Sequence, residues 1–343
     1  MENDQKLEPY RRDVWFRFCN SYVHFWGNTE MKKIFKLPSR DGIHQLHVVM
    51  WIPEGKVRAV LQISHGMVEY VERYEAFAAY ANQAGIVVVG NDHLGHGGTV
   101  RSEEEYGYFC KNHMSATVVA DLHRITIATK KRYPGVPYFL LGHSMGSFMA
   151  RRYLMTYGKE LTGVILCGTG KVSAGNLFLG TTIQNILENW KGSKYRSKWF
   201  DQLIFGNYNK RVVQPKSKND WMCRDRSVVD KKDREKKCNF IFTMNGFRTL
   251  FETITYIQKV QYIEKIPKSL PVFFIAGSED PVGAYGKGVR ALYEQYKAMG
   301  MDEMALKIYD GYRHEILMEV EKQEVFRDLI EWMDQYIWEE RKA

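Results

Sequence analysis

The pentapeptide GHSMG at 142–146 contains residue types that acyl-transfer chemistry requires, at the spacing it requires. An apolar segment typical of a β-strand leads into it (138–142), and a segment with helical periodicity follows (145–157). In a tight strand-to-helix turn, a serine hydroxyl is raised clear of the sheet, and flanking glycines avoid steric conflict. The pattern therefore predicts that Ser144 is a nucleophile.

A serine nucleophile needs a histidine as general base and a carboxylate that orients the histidine. His314 follows a strand-like segment and precedes the last predicted helix, so we expect it on a loop at the strand ends. Asp280 comes directly after another apolar strand, which gives the chain order Ser, Asp, His. Glu279 and Asp310 are competing acids, but Glu279 is one residue out of place and Asp310 belongs to the turn of His314. We therefore favour Asp280.

The oxyanion of an acyl-transfer transition state needs backbone amide donors. Gly66 follows a predicted strand at 58–64 and permits close backbone approach, so the Met67 amide is one candidate donor. The Met145 amide, directly after the nucleophile, is the other. An ordinary turn at the strand end would also explain His65 and Gly66.

The segment Asp92-His93-Leu94-Gly95-His96-Gly97 brings several polar side chains together after a strand. It lacks a further ligand cluster at a sensible spacing, so we interpret it as a hydrogen-bonded loop that braces the nucleophile turn, and we predict no metal site. The sequence also lacks a phosphate-binding loop and a dinucleotide fingerprint, so no cofactor is expected. The residues expected to support the site are His65, Gly66, His143 and Asp92.

Strands and helices alternate along most of the chain. This alternation predicts an α/β fold with a doubly wound sheet, and it is interrupted between about 170 and 245. The predicted strands are 43–52, 58–64, 86–91, 138–142, 163–167, 271–276 and 305–309. The predicted helices are 73–84, 115–132, 145–157, 285–298 and 321–340.

Charge is concentrated in one part of the 343-residue chain. The segment 191–237 contains 15 Lys or Arg and 6 Asp or Glu, which accounts for the whole net charge of +9. A nearly neutral body with one basic segment argues against a nucleic-acid partner. The segment is either a solvated charged face or a site of contact with an anionic substrate or an anionic membrane surface.

Five cysteines without CxxC spacing are typical of a reducing compartment, so we expect a cytoplasmic protein without a disulfide framework. The first residues, MENDQKLEPYRRD, are charged where a secretion signal would be apolar, so none is predicted. The long charge-free runs contain prolines, glycines or polar residues and do not indicate a membrane span. The aromatic-rich segment 1–35 is expected to pack on the body or to contact a membrane.

Five motifs in this order resemble the monoacylglycerol lipase and lysophospholipase-like branch of the α/β-hydrolase superfamily: SHGMVEYVERY, NDHLGHG, GHSMG, GSEDPVG and YRHEILME. The resemblance covers roughly residues 36–340. It implies an eight-stranded, mostly parallel sheet flanked by helices, with a helical cap inserted after the sixth strand. It also implies Ser144 as nucleophile, Asp280 as acid and His314 as base, with oxyanion amides from Met67 and Met145.

Two residues depart from the pattern of that branch. Tyr70 stands where a histidine is common, and Met318 stands where an asparagine is common. Both positions concern support or specificity rather than the three reacting side chains. The substrate therefore cannot simply be carried over.

These observations predict four segments: an N-terminal extension (1–35), the first part of the core (36–170), the cap (171–245) and the second part of the core (246–343). The predicted function is hydrolysis of carboxylic esters. The favoured substrates are monoacyl lipids such as a monoacylglycerol or a lysophospholipid. An aminopeptidase-like amide hydrolase, with Asp201 or Glu188 holding a substrate ammonium, is the alternative; a non-catalytic binding protein is a third. Residues expected to line an acyl groove are Leu177, Phe178, Leu179, Ile183, Trp199 and Phe200.

Overall fold

The computed structural model describes residues 26–29 and 31–339. Most of the predicted N-terminal extension, 1–35, lies outside the described residues. The described part forms one sheet with helices on both faces, in the strand order β1-β2-β3-β5-β4-β6-β7-β8-β9. The strands are β1 (Trp26–Thr29), β2 (Lys32–Pro38), β3 (Gln45–Trp51), β4 (Ala59–Ser64), β5 (Ile86–Asn91), β6 (Tyr138–His143), β7 (Gly163–Cys167), β8 (Val272–Gly277) and β9 (Met304–Tyr309).

Strands β4 to β9 run parallel, and β1, β2 and β3 extend the sheet by antiparallel pairing at the β5 edge. The expected mostly parallel α/β sheet is confirmed, and β1 adds a short strand to the eight that were expected. β4 and β6 lie side by side in its centre, so the loops that follow them emerge next to each other. This adjacency positions the Gly66 loop beside the Ser144 turn.

The α-helices are α1 (Glu75–Gln83), α2 (Met114–Arg132), α3 (Met145–Tyr157), α4 (Ala174–Lys191), α5 (Lys198–Phe205), α6 (Arg226–Arg234), α7 (Met244–Ile257), α8 (Val260–Ile263), α9 (Lys287–Ala298) and α10 (Lys322–Glu339). Two apolar clusters cover the two faces of the sheet. One joins α1 and α10 to side chains such as Leu61, and the other joins α2, α3, α7 and α9 to side chains such as Val60. This strand alternation between two cores is the packing of a doubly wound sheet.

Helices α4 to α8 intervene between β7 and β8. Side-chain caps fix where four of them begin, because Ser173, Ser197, Asp225 and Thr243 each accept a hydrogen bond from a backbone amide in the first turn of α4, α5, α6 and α7. The boundaries 171–245 of the cap stay a prediction. Across the part of the chain that the structure describes, every helix is too short or too polar to cross a membrane.

Candidate active site

Ser144 lies in the turn between β6 and α3 and has φ 53° and ψ −121°. This left-handed backbone is strained for a residue with a side chain, and two hydrogen bonds hold it: the Ser144 amide donates to the Cys167 carbonyl at 2.9 Å, and the Ser147 hydroxyl donates to the Ser144 carbonyl at 2.6 Å. The side chain is half-buried rather than enclosed. The turn thus presents a serine at the carboxyl edge of the sheet, as the sequence predicted.

The two glycines of the pentapeptide are required by close backbone contacts. A Cβ added at Gly142 would lie 2.5 Å from the carbonyl oxygen of Gly146, and one added at Gly146 would lie 1.9 Å from the carbonyl oxygen of Ser64. Both distances are far below a normal contact, so β4 and the Ser144 turn can approach each other only without these side chains.

His314 is buried on the loop after β9, and its Nδ1 lies 2.9 Å from Oδ2 of the fully buried Asp280. The imidazole Nδ1–H donates to this carboxylate, which leaves Nε2 with the lone pair that a general base needs. Of the three competing acids, Asp280 is the one whose carboxylate contacts His314. The exposed Asp310 instead accepts from the Ser278 hydroxyl at 3.1 Å.

Backbone contacts place Ser144 and His314 in the same site. The Ser144 amide bonds to Cys167, and at the next residue, Gly168, an added Cβ would lie 3.0 Å from the His314 ring. The ring of His143 is also close, with its centroid 4.9 Å from that of His314. The nucleophile turn and the histidine loop therefore meet at the ends of β6, β7 and β8.

The loop that carries Met67 runs directly beside the candidate nucleophile. A Cβ added at Gly66 would lie 3.0 Å from Cβ of Ser144. Met145 is the first residue of α3, whose leading amides have no partner within the helix. The two amides proposed to hold an oxyanion thus lie on the two chain segments that flank Ser144.

His143 connects these segments through both ring nitrogens. Its Nδ1 lies 2.9 Å from Oε1 of Glu69, and its Nε2 lies 3.4 Å from the carbonyl oxygen of His314. Both neighbours are acceptors, which only the imidazolium can satisfy. Burial by itself disfavours the charge, but the Glu69 carboxylate outweighs it and raises the pKa of His143.

His65 and Asp92 brace the loops around the site. The His65 Nδ1 lies 2.8 Å from the Gly66 carbonyl oxygen, and its Nε2 accepts from the His93 amide at 2.9 Å. Asp92 accepts from the Val71 amide at 2.8 Å. Burial lowers the pKa of His65, so its ring is neutral and can accept at Nε2. Within the described ranges, no group of His, Cys, Asp and Glu side chains is arranged to hold a metal ion.

The six residues expected to line an acyl groove lie in different environments. Phe178, Leu179 and Trp199 are exposed, whereas Phe200 is fully buried and its ring packs at 4.9 Å from that of Phe247. Leu177 and Ile183 are partly buried against the core. Their exposures thus range from fully buried to largely exposed, and the acyl groove stays a prediction.

Besides Glu69, sequence reasoning missed four side chains around the site. The Trp221 ring packs against that of His314, with centroids 5.0 Å apart. Glu315 accepts two hydrogen bonds from Arg73, at 2.9 and 2.7 Å, and a third from Lys232 at 2.9 Å. Glu315 could have been found from the sequence because it directly follows His314. Arg73 and Lys232, which donate to it, are far away in the sequence.

Comparison with known proteins identifies the family. A family model described as serine aminopeptidase, S33, matches residues 55–321. Human monoglyceride lipase is 27% identical over 289 residues, which cover 83% of this chain and 85% of that protein. The structure of a thermostable carboxyl esterase from Bacillus coagulans in complex with glycerol is 30% identical with a TM-score of 0.84, covering 90% of this chain and 100% of the esterase.

The structure of a soluble variant of monoglyceride lipase from Saccharomyces cerevisiae, in complex with a substrate analog, shares the fold at 17% identity. Its TM-score is 0.69, covering 92% of this chain and 95% of the yeast protein. The expected superfamily is confirmed, and since the family model covers well over half of the residues, the chain belongs to the serine aminopeptidase S33 family of α/β-hydrolases.

Proposed function

We propose that the protein is a serine hydrolase that cleaves the carboxylic esters of monoacyl lipids. The observation that carries the proposal is the strained Ser144 turn beside a buried His314–Asp280 pair. The similarity to monoglyceride lipase and to a carboxyl esterase supports an ester as the bond and a monoacyl lipid as the substrate class.

The proposed reaction proceeds through an acyl-enzyme. Ser144 Oγ attacks the acyl carbonyl while His314 Nε2 takes its proton, and the resulting oxyanion is held by the amides of Met67 and Met145. His314 then protonates the leaving alcohol. Water activated by His314 attacks the acyl-enzyme and releases the fatty acid. Asp280 keeps the imidazole oriented and stabilises its charged form throughout.

An amide hydrolase is the second candidate, because the matching family is described as an aminopeptidase. That activity would need a carboxylate to hold the substrate ammonium. Glu188 is already engaged, since it accepts from Gln184 at 2.6 Å and lies 3.6 Å from Arg248. Burial raises the pKa of Asp201, which disfavours the charged form that would bind an ammonium. Both features favour the ester.

The experiment that decides between these functions is hydrolysis of a matched panel by the wild type, Ser144→Ala and the control Ser269→Ala. The panel contains a monoacylglycerol, a lysophospholipid, short and long aryl esters, and an aminoacyl arylamide. We expect turnover of monoacyl esters by the wild type and by Ser269→Ala, whose exposed serine lies outside the site, and none by Ser144→Ala. Cleavage of the arylamide alone would support the peptidase instead, and residual esterase activity in Ser144→Ala would refute the assignment.

We also propose that helices α4 and α5 contact an anionic membrane surface. Large apolar side chains are exposed there, with Phe178, Trp190 and Trp199 at 74%, 73% and 61%. Exposed lysines lie among them at 191, 194 and 198, and the ammonium of Lys191 lies 3.9 Å from the centre of the Trp190 ring. Aromatic rings and lysines together match the interfacial region of an anionic bilayer.

Several other cations of the basic segment are matched by carboxylates. Arg224 pairs with Glu319 at 2.9 Å, and Lys236 pairs with Glu103 at 2.9 Å. The membrane proposal is tested by sedimentation with vesicles of phosphatidylcholine, with and without phosphatidylserine, at low and high salt. We expect binding to the anionic vesicles at low salt, weakened in Trp190→Ser/Trp199→Ser but not in the control Val260→Ser. Equal binding to both vesicles would overturn it.

We also propose that the protein is cytoplasmic, as expected from its cysteine usage. The described cysteines, Cys110, Cys167, Cys223 and Cys238, are all free thiols. Free buried thiols are usual in a reducing compartment.

A further inference from the structure

Lys232 on α6 is a buried lysine that reaches two loops of the candidate active site. Its side chain is 3% exposed, and its Nζ lies 2.9 Å from Oε1 of Glu315 and 3.3 Å from the carbonyl oxygen of Val68. Glu315 directly follows His314, the candidate base. Val68 directly follows Met67, a candidate oxyanion donor. One ammonium group thus contacts the neighbours of two residues that the proposed reaction uses.

The contact with Val68 restrains a strained backbone, and the contact with Glu315 holds a side chain of the histidine loop. Val68 is β-branched and has φ 55°, a conformation that costs free energy unless its surroundings impose it. The histidine loop is bonded on both sides to the segment just before α6: the Arg313 guanidinium donates to the Asp220 carbonyl at 2.7 Å, and the Glu315 amide donates to the Met222 carbonyl at 2.7 Å. His314 therefore lies between two residues that are tied to the segment inserted between β7 and β8.

Lys232 adds a second cation to the buried Glu315 carboxylate. Glu69 and Glu315 are two buried carboxylates, and Arg73 bonds to both. Burial opposes ionisation of Glu315, but Arg73 and Lys232 outweigh it and hold its pKa far below the usual range. Without Lys232, Glu315 would depend on Arg73, a cation that it shares with Glu69, and the loss of a counter-charge from a buried carboxylate is costly in a low dielectric.

We propose that Lys232 is a positioning residue, which couples the seating of α6 to the geometry of the His314 loop and of the Met67 loop. The inference rests on the proposed function and deepens it. The segment between β7 and β8 would then also control the geometry of the reacting groups. When α6 packs against the core, the base and the oxyanion donors are held in place. When α6 is displaced, both loops lose a shared contact.

The test compares Lys232→Met with Lys231→Met, the same change at an exposed position one residue earlier on the same helix. A short, soluble aryl ester is used so that membrane binding does not enter. We expect kcat of Lys232→Met to fall by about ten- to a hundredfold, with KM changed far less, and Lys231→Met to resemble the wild type. The rate of labelling by a fluorophosphonate is measured in parallel and should fall to a similar extent.

A second variant separates positioning from folding. Glu315→Gln removes the charge that Lys232 contacts while it keeps the shape of the side chain, and thermal unfolding shows whether each variant is folded. We expect Lys232→Met to cost much less kcat in the Glu315→Gln background than in the wild type, because the two residues act through one contact. Fully additive effects in folded variants, or a Lys232→Met enzyme with the kcat and labelling rate of Lys231→Met, would overturn the proposal.

The labelling rate keeps this result distinct from the proposed function. If the wild type is labelled but cleaves no ester of the panel, the substrate assignment fails while Lys232 is still tested by labelling. If the wild type cleaves esters and Lys232→Met does so equally well, the coupling fails while the function stands.

Discussion

Replacing Glu69 by Gln tests the charged cluster beneath the candidate nucleophile. The Glu69 side chain is almost fully buried, and its carboxylate accepts from His143 Nδ1 at 2.9 Å, from the Tyr74 hydroxyl at 3.0 Å, from Arg73 at 2.9 Å and from the Gly66 amide. A glutamine has nearly the same shape but only one acceptor oxygen and no charge. The substitution therefore removes the charge that His143 and Arg73 face without opening a cavity.

The expected loss of stability follows from burial. Removing one partner of a buried ion pair costs about 3–5 kcal/mol. Burial opposes both charges, yet the pKa of Glu69 lies well below its usual 4.5, and that of His143 lies above its usual 6.5. The Glu69 contribution is present above about pH 4.5 and is lost in acid, whereas the His143 contribution is present below about pH 6.5 and is lost as the pH rises through its raised pKa.

The deficit of Glu69→Gln should accordingly be largest between pH 4.5 and 6.5 and smaller above that window, where the contact with Arg73 remains. Urea unfolding at several pH values measures it. The control is Glu75→Gln, since Glu75 is 58% exposed and its pair with Lys32 at 2.6 Å should contribute below about 1 kcal/mol. A Glu69→Gln deficit no larger than that of the control, or one that grows as the pH rises above 6.5, would refute this account of the cluster.

Three further substitutions test the nucleophile turn, the acid and the ring that packs on His314. Gly146→Ala should prevent correct folding or abolish activity, because the added Cβ would lie 1.9 Å from a carbonyl oxygen of β4. The control Gly175→Ala, which has open space around it, should leave folding and activity unchanged. Soluble yield and thermal unfolding measure the difference. Asp280→Asn should lower kcat by about 10³–10⁴ with little loss of fold, and near-normal turnover would remove it from the reaction. Trp221→Ala should lower kcat on a soluble aryl ester roughly tenfold by freeing the His314 ring; unchanged kcat would show that this ring contact is dispensable.

The parts of the structure that sequence reasoning predicted well are those with a local signal. The strand segments 86–91 and 163–167 are almost continuous apolar runs because they are buried on both faces, and they coincide with β5 and β7. The segment 58–64 mixes apolar residues with Arg58 and Gln62, and it coincides with β4 from Ala59 onwards. The Lys32–Pro38 strand was missed because three of its seven residues are lysines and the strand is only partly buried. Patterns reveal an element most clearly where burial is complete.

At the site, turn chemistry in GHSMG and the position of Asp280 at a strand end are local features, so they could be found in the sequence. The Lys232–Glu315 contact joins residues 83 positions apart, and no short motif encodes such a pair. The exposure of the apolar side chains along α4 could not be predicted either, because the sequence shows an apolar face without showing what covers it. Phe178 was assigned to a groove from that apolar face, and its large exposure in the structure could not be predicted.

The central claim is that Ser144 is a nucleophile activated by His314, and site-specific fluorophosphonate labelling tests it most directly. Intact mass and peptide mass spectrometry would follow the wild type, Ser144→Ala and His314→Gln. We predict one adduct, on the peptide that contains Ser144, absent in Ser144→Ala and formed far more slowly in His314→Gln. A folded wild-type protein that is not labelled, or an adduct on another residue that persists in Ser144→Ala, would contradict the account.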